Sequence, residues 1–155
     1  MYRSHNRLEF LRGFIIMAHK PGLTKKELEQ VLADSAFVAD YRFSIHDSGD
    51  GECTIYVPFQ EKYVRPGGLV CGPVFMAAAD MAMWLAIMTK IGRVEMAVTA
   101  EMKTSFLNGA KREGFYSTAR TLKVGRRLIF GAAESVNGDG TLLAHHSFTY
   151  ARPDM

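Results

Sequence analysis

Twenty residues, Gly72 to Ile91, read GPVFMAAADMAMWLAIMTKI, and this run constrains the fold more than any other part of the chain. It is long enough for more than five turns of helix and apolar on every side. A helix without a polar face has to be enclosed by other structure. Gly92 follows as a stop, Lys90 stands in the last turn and Pro73 suits the first. The exception inside the run is Asp80. An isolated carboxylate in such surroundings costs several kcal/mol unless it is paired, hydrated or put to work. A working acid, as base or nucleophile, explains its presence better than a solvated helix edge does.

Enclosure by a membrane is the less favourable option, because a mid-span Asp costs about 2.5–3.5 kcal/mol on insertion scales. A protein-buried helix is expected, in a cytoplasmic protein with no membrane partner. The first residues, MYRSHNRLEFLRGFIIMA, lack the clean apolar core and cleavage site of a secretory signal. They read as an extension, with Met17 a possible alternative start. Cys53 and Cys71 form no disulfide framework, and no metal-ligand spacing links the two cysteines and five histidines. A net charge of +3 advertises no broad nucleic-acid surface.

What surrounds the helix is legible as strands. Leu23-Thr24-Lys25-Lys26-Glu27-Leu28 is a capping box with a hydrophobic staple, which predicts a short helix over about 25–33. Tyr41 to His46 alternates as a half-buried strand, Asp47 to Gly51 turns, and Cys53 to Val57 returns. Residues 61–71 form a loop broken by Pro66-Gly67-Gly68. Beyond the helix the period is two. Val98 to Phe106 is a strand whose even positions face a core, followed by Phe115–Val124, Leu128–Val136 and Thr141–Tyr150. Asn108-Gly109, Gly125-Arg126 and Asn137-Gly138-Asp139-Gly140 are the turns between them. The expected architecture is α+β. Residues 1–39 are an N-terminal extension with its short helix, and 40–155 are one domain with a curled antiparallel sheet around one long helix.

With these elements in place, the chain resembles the hotdog-fold acyl-CoA thioesterases of the phenylacetic-acid-pathway type. The resemblance covers roughly Asp40 to Pro153. Its most specific part is Cys71-Gly72-Pro73 with Asp80 following, similar to the family's His-Gly-Gly with an Asp seven residues on. Glu101 to Ala110, EMKTSFLNGA, resembles the family strand that ends in aromatic-Leu-Arg-Pro-Ala, and Val124-Gly125-Arg126-Arg127 resembles the family turn. Two positions depart: Cys71 stands for the His and Pro73 for the second Gly. A hydroxyl one turn after the acid, present in some relatives, is replaced by Trp84.

The resemblance implies an acyl-CoA substrate, with coenzyme A as part of the substrate and no separate cofactor. It implies Asp80 as base or nucleophile and the Gly72 N–H as donor to the thioester oxygen. A helix N-terminus suits that second role on general grounds. Eight residues of helix separate the two by about 12 Å, whereas each must lie within roughly 3 Å of reacting atoms. One chain therefore does not supply both to one thioester. A two-fold dimer, or a dimer of dimers, brings Gly72 of one copy to Asp80 of another.

Candidate substrate contacts are Cys71, Gly68 and Arg65 at the loop, Phe75, Met76 and Trp84 along the helix, and Arg126 and Arg127 for the CoA phosphates. Lys111, Arg112 and Lys123 are weaker basic candidates. Cys71 as a nucleophile would need His46, His145 or His146 as its base. His145 and His146 point to opposite faces of one strand and cannot chelate together. Two rivals remain at this stage: a hotdog hydratase or dehydratase, and a non-catalytic acyl-CoA-binding protein.

Overall fold

The structure is a computed structural model that describes residues 21–152. Residues 1–20 of the expected extension, including Met17, lie outside the described residues. Helix α1 spans Lys25–Asp34 and helix α2 spans Gly72–Ile91. Six strands, β1 (Ser44–Gly49), β2 (Glu52–Val57), β3 (Val98–Phe106), β4 (Phe115–Val124), β5 (Leu128–Asn137) and β6 (Leu142–Ala151), form one antiparallel sheet. Their order is β1-β2-β4-β5-β6-β3, so β3 ends one edge. The sheet packs along α2, chiefly through β2, β4 and β5. This is the hotdog arrangement.

The capping box forms as read. Thr24 accepts from the Glu27 N–H, and Glu27 Oε2 accepts from the Thr24 N–H at 2.8 Å. Leu28 and Val31 are buried, and the Leu23 N–H donates to the Met88 carbonyl at 2.9 Å, tying α1 to the end of α2. Ala78, Ala79, Ala82 and Ala86 are wholly buried, so small side chains let the sheet approach the α2 backbone. By length and composition α2 qualifies as a membrane span, but most of it is covered by its own sheet.

Two sequence expectations shift. The first strand begins at Ser44, because Ala36–Tyr41 forms a 3-10 turn and Arg42 closes it in the left-handed region at φ 56°. The strand then runs on to Gly49, through residues expected in the turn, with a bulge at His46. On β3 the even-position rule fails at Ala100, where a bulge interrupts the pairing with β6. Before the bulge Thr99 lies opposite buried Tyr150; after it Met102 and Thr104 lie opposite buried Phe148 and His146. Val98 and Phe106, at the ends of this edge, stay 57% and 56% exposed.

A polar row crosses the inner face of the sheet. Ser117 and Ser135 share a hydrogen bond at 3.2 Å, Ser135 reaches His146 Nε2 at 3.4 Å, and Thr104 meets His146 Nδ1 at 2.9 Å. Burial, with His145 beside it, holds the His146 imidazole down at about 4. At neutral pH folded and unfolded chains both carry it mostly neutral. As pH falls below about 6.5 the unfolded chain takes up a proton that the folded chain refuses, so stability is lost down to about pH 4. The full cost is on the order of 3 kcal/mol. His146→Gln keeps a donor and an acceptor for Thr104 and Ser135 but does not titrate. Urea midpoints at pH 7 and 4.5 are therefore expected to diverge much less in that variant; equal losses in the two proteins would refute the assignment.

Candidate active site

Asp80 sits mid-way along α2, half-buried, on the stripe of the helix that the sheet leaves uncovered. Two hydroxyls from the sheet converge on one of its oxygens. Thr99 Oγ1 donates to Asp80 Oδ1 at 2.7 Å, and Tyr150 OH donates to the same atom at 2.6 Å. The phenol also lies 3.0 Å from the Asp80 carbonyl. Burial and the neighbouring carboxylate push the Tyr150 phenol far above its usual range, so it remains a donor across the working pH range. With Oδ1 doubly engaged, Oδ2 has no hydrogen-bond partner among the described residues. It is the oxygen open to water or a ligand.

The bulge at Ala100 makes this possible. Without it Thr99 would point away from α2. The hydroxyls that contact the acid thus come from β3 and β6, while Trp84 occupies the position one helical turn after it. Asp80 and Trp84 line a cavity of ≈ 500 Å³ with Val38, Tyr41, Met81 and Thr99. Tyr150→Phe is expected to lower kcat about tenfold with little change in KM, since it frees the carboxylate to rotate. Its loss of stability should be about 1 kcal/mol by denaturant titration. A raised KM with unchanged kcat would assign Tyr150 to substrate contact instead.

Gly72 opens the same helix in a different place. Cys71 is the N-cap, at φ −73° and ψ 147°, and its side chain makes no capping bond. The first N–H groups of a helix have no intrahelical acceptor, and the Gly72 N–H finds none elsewhere among the described residues. The ring of Phe106 lies over it: a Cβ at position 72 would be 2.9 Å from the ring tip. Arg65, Leu69, Phe75 and Phe106 line a second cavity here, of ≈ 440 Å³. Among the described residues none lines both cavities. Within one chain the acid and the free amide serve separate spaces.

The remaining candidates divide between these ends. Arg65 borders the Gly72 cavity, whereas Gly68 lies outside its lining, on the turn that its φ of 79° and the 97° of Gly67 permit. Phe75 is buried with its ring 4.5 Å from that of Phe115, and Met76 is 37% exposed. Arg126 and Arg127 sit exposed on the β4–β5 turn. This turn adjoins Leu128, which shares Ala151 as pairing partner with Val98, so it belongs to the Asp80 end. Arg112 is held by Glu61 at 2.8 and 2.5 Å. Cys71 packs against the core and has no hydrogen bond to any histidine among the described residues; His146 is engaged with Thr104 and Ser135, and His46 with the Tyr116 ring. Among the described residues no His, Cys, Asp or Glu cluster could hold a metal.

Comparison with known proteins yields matches of family and of fold. Residues 67–144 match the family model described as "Thioesterase superfamily". A Thermoplasma acidophilum protein named "Putative esterase" is 24% identical, with 81% of this chain and 94% of that protein covered. A Saccharolobus solfataricus protein of the same description is 28% identical, covering 80% of this chain and 82% of that one. Among solved structures, zebra fish thioesterase superfamily member 2 superposes with a TM-score of 0.75 at 26% identity, over 84% of this chain and 99% of that one. The Escherichia coli PaaI protein of the phenylacetic acid degradation operon gives 0.76 at 15% identity, over 84% and 94%, a likeness of fold.

Proposed function

The chain belongs to the thioesterase superfamily, of PaaI-like hotdog type, and on that premise we propose that it hydrolyses small or medium acyl or aryl-acyl thioesters of coenzyme A. The observation that carries the reading is the pair of hydroxyls fixing one oxygen of Asp80, the other having no partner among the described residues, on a residue that lines a cavity. Water held at Oδ2 attacks the thioester carbon as the carboxylate takes its proton. The carbonyl oxygen becomes negative and is met by the Gly72 N–H at a helix start. Collapse breaks the carbon–sulfur bond, and the proton on Asp80 passes to the departing thiolate. Single turnover in heavy-oxygen water separates this route from direct attack by Asp80. Label recovered in Asp80, with an unlabelled first molecule of acid, marks direct attack followed by opening of the anhydride at the Asp80 carboxyl carbon.

The Gly72 donor comes from a second copy. The two cavities within one chain support this, as does the edge strand β3, with one side unpaired among the described residues and with exposed apolar ends. Setting Gly72 against Asp80 in antiparallel helices puts the two-fold axis near the midpoint, Met76, which the sheet leaves partly exposed. The same axis brings Arg65 of one copy toward Arg126 and Arg127 of the other, a basic pair of flanks for the CoA phosphates.

The test is thiol release from a panel of acyl-CoAs. Release abolished by Asp80→Asn supports hydrolysis. Hydration of enoyl-CoA without thiol release would overturn it in favour of a hydratase, and tight binding with neither reaction in favour of a binding protein.

A further inference from the structure

Phe37 is 75% exposed, although the segment carrying it is firmly held. The 3-10 turn Ala36–Tyr41 is fastened from three sides. Tyr63 OH donates to the Tyr41 carbonyl at 3.0 Å, and Gln60 Nε2 and Lys62 Nζ donate to the Asp40 carbonyl at 2.9 and 3.0 Å. The Tyr41 ring stacks on Phe43 at 4.9 Å, and Val38 is buried. A fixed arm that presents a large aromatic ring to solvent rather than to the core has no role in folding that would place it so. What it faces is the Asp80 cavity, with Phe37 and Tyr41 forming one wall.

The opposite wall is Ala97–Thr99, and the floor is the α2 stripe Ala77, Asp80, Met81 and Trp84. Helical spacing puts Trp84 one turn beyond the acid on the same face. An apolar trough therefore leads away from Asp80 under the turn. Its charged members are two carboxylates, Asp80 and Glu95, while Arg93, the partner of Glu95, lies outside the lining. Phe37 and Tyr41 precede residues 67–144, the part of the chain that the family model matches.

We propose that the Ala36–Tyr41 turn, with Trp84, selects the acyl group: the trough takes uncharged hydrocarbon acyl chains of medium length and refuses those that end in a carboxylate. This rests on the thioester reading above, with the carbonyl at Asp80 and the chain extending toward Trp84. Each methylene entering the trough leaves water for apolar contact, which corresponds to a gain of about threefold in kcat/KM. A terminal carboxylate entering the same space would exchange water for apolar contacts in a lining that also holds the Asp80 carboxylate.

Straight-chain acyl-CoAs from acetyl to decanoyl, with ω-carboxyl counterparts, provide the test. In the wild type kcat/KM should climb by about threefold per methylene up to medium length. The ω-carboxyl compounds should fall at least about tenfold below their hydrocarbon matches. Phe37→Ala should cut the octanoyl-to-acetyl ratio by about tenfold, and Trp84→Leu by a similar factor. Phe37 is exposed, so its variant tests selection without disturbing the core. A flat length profile, or a ratio unmoved by both variants, would overturn the wall while Asp80-dependent thiol release left the thioester reading standing. A partner chain filling the trough would give that flat profile. No thiol release from any acyl-CoA would take down both.

Discussion

Asp80→Asn should lower kcat about a thousandfold, with KM changed less than about threefold. Asparagine has the same shape, and its side-chain oxygen can still accept from Thr99 and Tyr150, so the local structure is expected to persist. What is lost is the proton acceptor at the second position. Removing a half-buried charge should leave the thermal midpoint level or raise it, the usual relation between a working acid and stability. Stopped-flow or steady-state thiol release measures the first effect and calorimetry the second. A variant that loses activity only in proportion to lost folded protein would reduce Asp80 to a structural acid.

Gly72→Pro should cost about a hundredfold in kcat while leaving the fold in place. The substitution deletes one N–H, and that N–H has no acceptor among the described residues. Proline is tolerated at the first position of a helix, and Cys71 already has the extended conformation that a following proline demands. The steric cost falls on the tip of the Phe106 ring, whose side chain is largely exposed and free to swing, and on Pro73, which disfavours helical backbone at a preceding residue with a Cβ. Gly72→Ala is the control, because it meets the same ring but keeps the donor. If the account is right, Ala retains activity within about tenfold and Pro does not. Equal losses in both would mean that the position matters through packing alone.

The fold was largely written in local patterns. The limits of α2 follow from its apolar run, Cys71 before it and Gly92 after it, and the Thr24–Glu27 box places α1. Period-two alternation finds β4 and β5, and the turn residues 137–140 join β5 to β6. Asp80 was legible for the same reason: a charge is conspicuous in a greasy helix. Its partners were not. Thr99 and Tyr150 lie 19 and 70 positions away, and nothing near either one marks it. The bulge at Ala100 depends on pairing across the sheet, and alternation read along β3 alone assigns the wrong face to Thr99. Tyr41 reads as the start of a strand, yet the contacts of Tyr63 and Gln60 with the 3-10 turn override that preference. Phe37 carries no signal in sequence, because its significance is the cavity it faces. Long-range contacts decide the site's detail, and the sequence pattern reports mainly on neighbours.

A mixed dimer of Asp80→Asn and Gly72→Pro chains, carrying two different tags and isolated by both, addresses the shared site head on. If each site draws its acid from one copy and its amide from the other, one site of the mixed dimer holds both lesions and the second holds none. Thiol release should then return to about half the wild-type rate per dimer, from parents that are each nearly inactive. If both groups act within a single chain, every site in the mixed dimer carries one lesion. A mixed dimer as inactive as its parents would contradict the shared site outright.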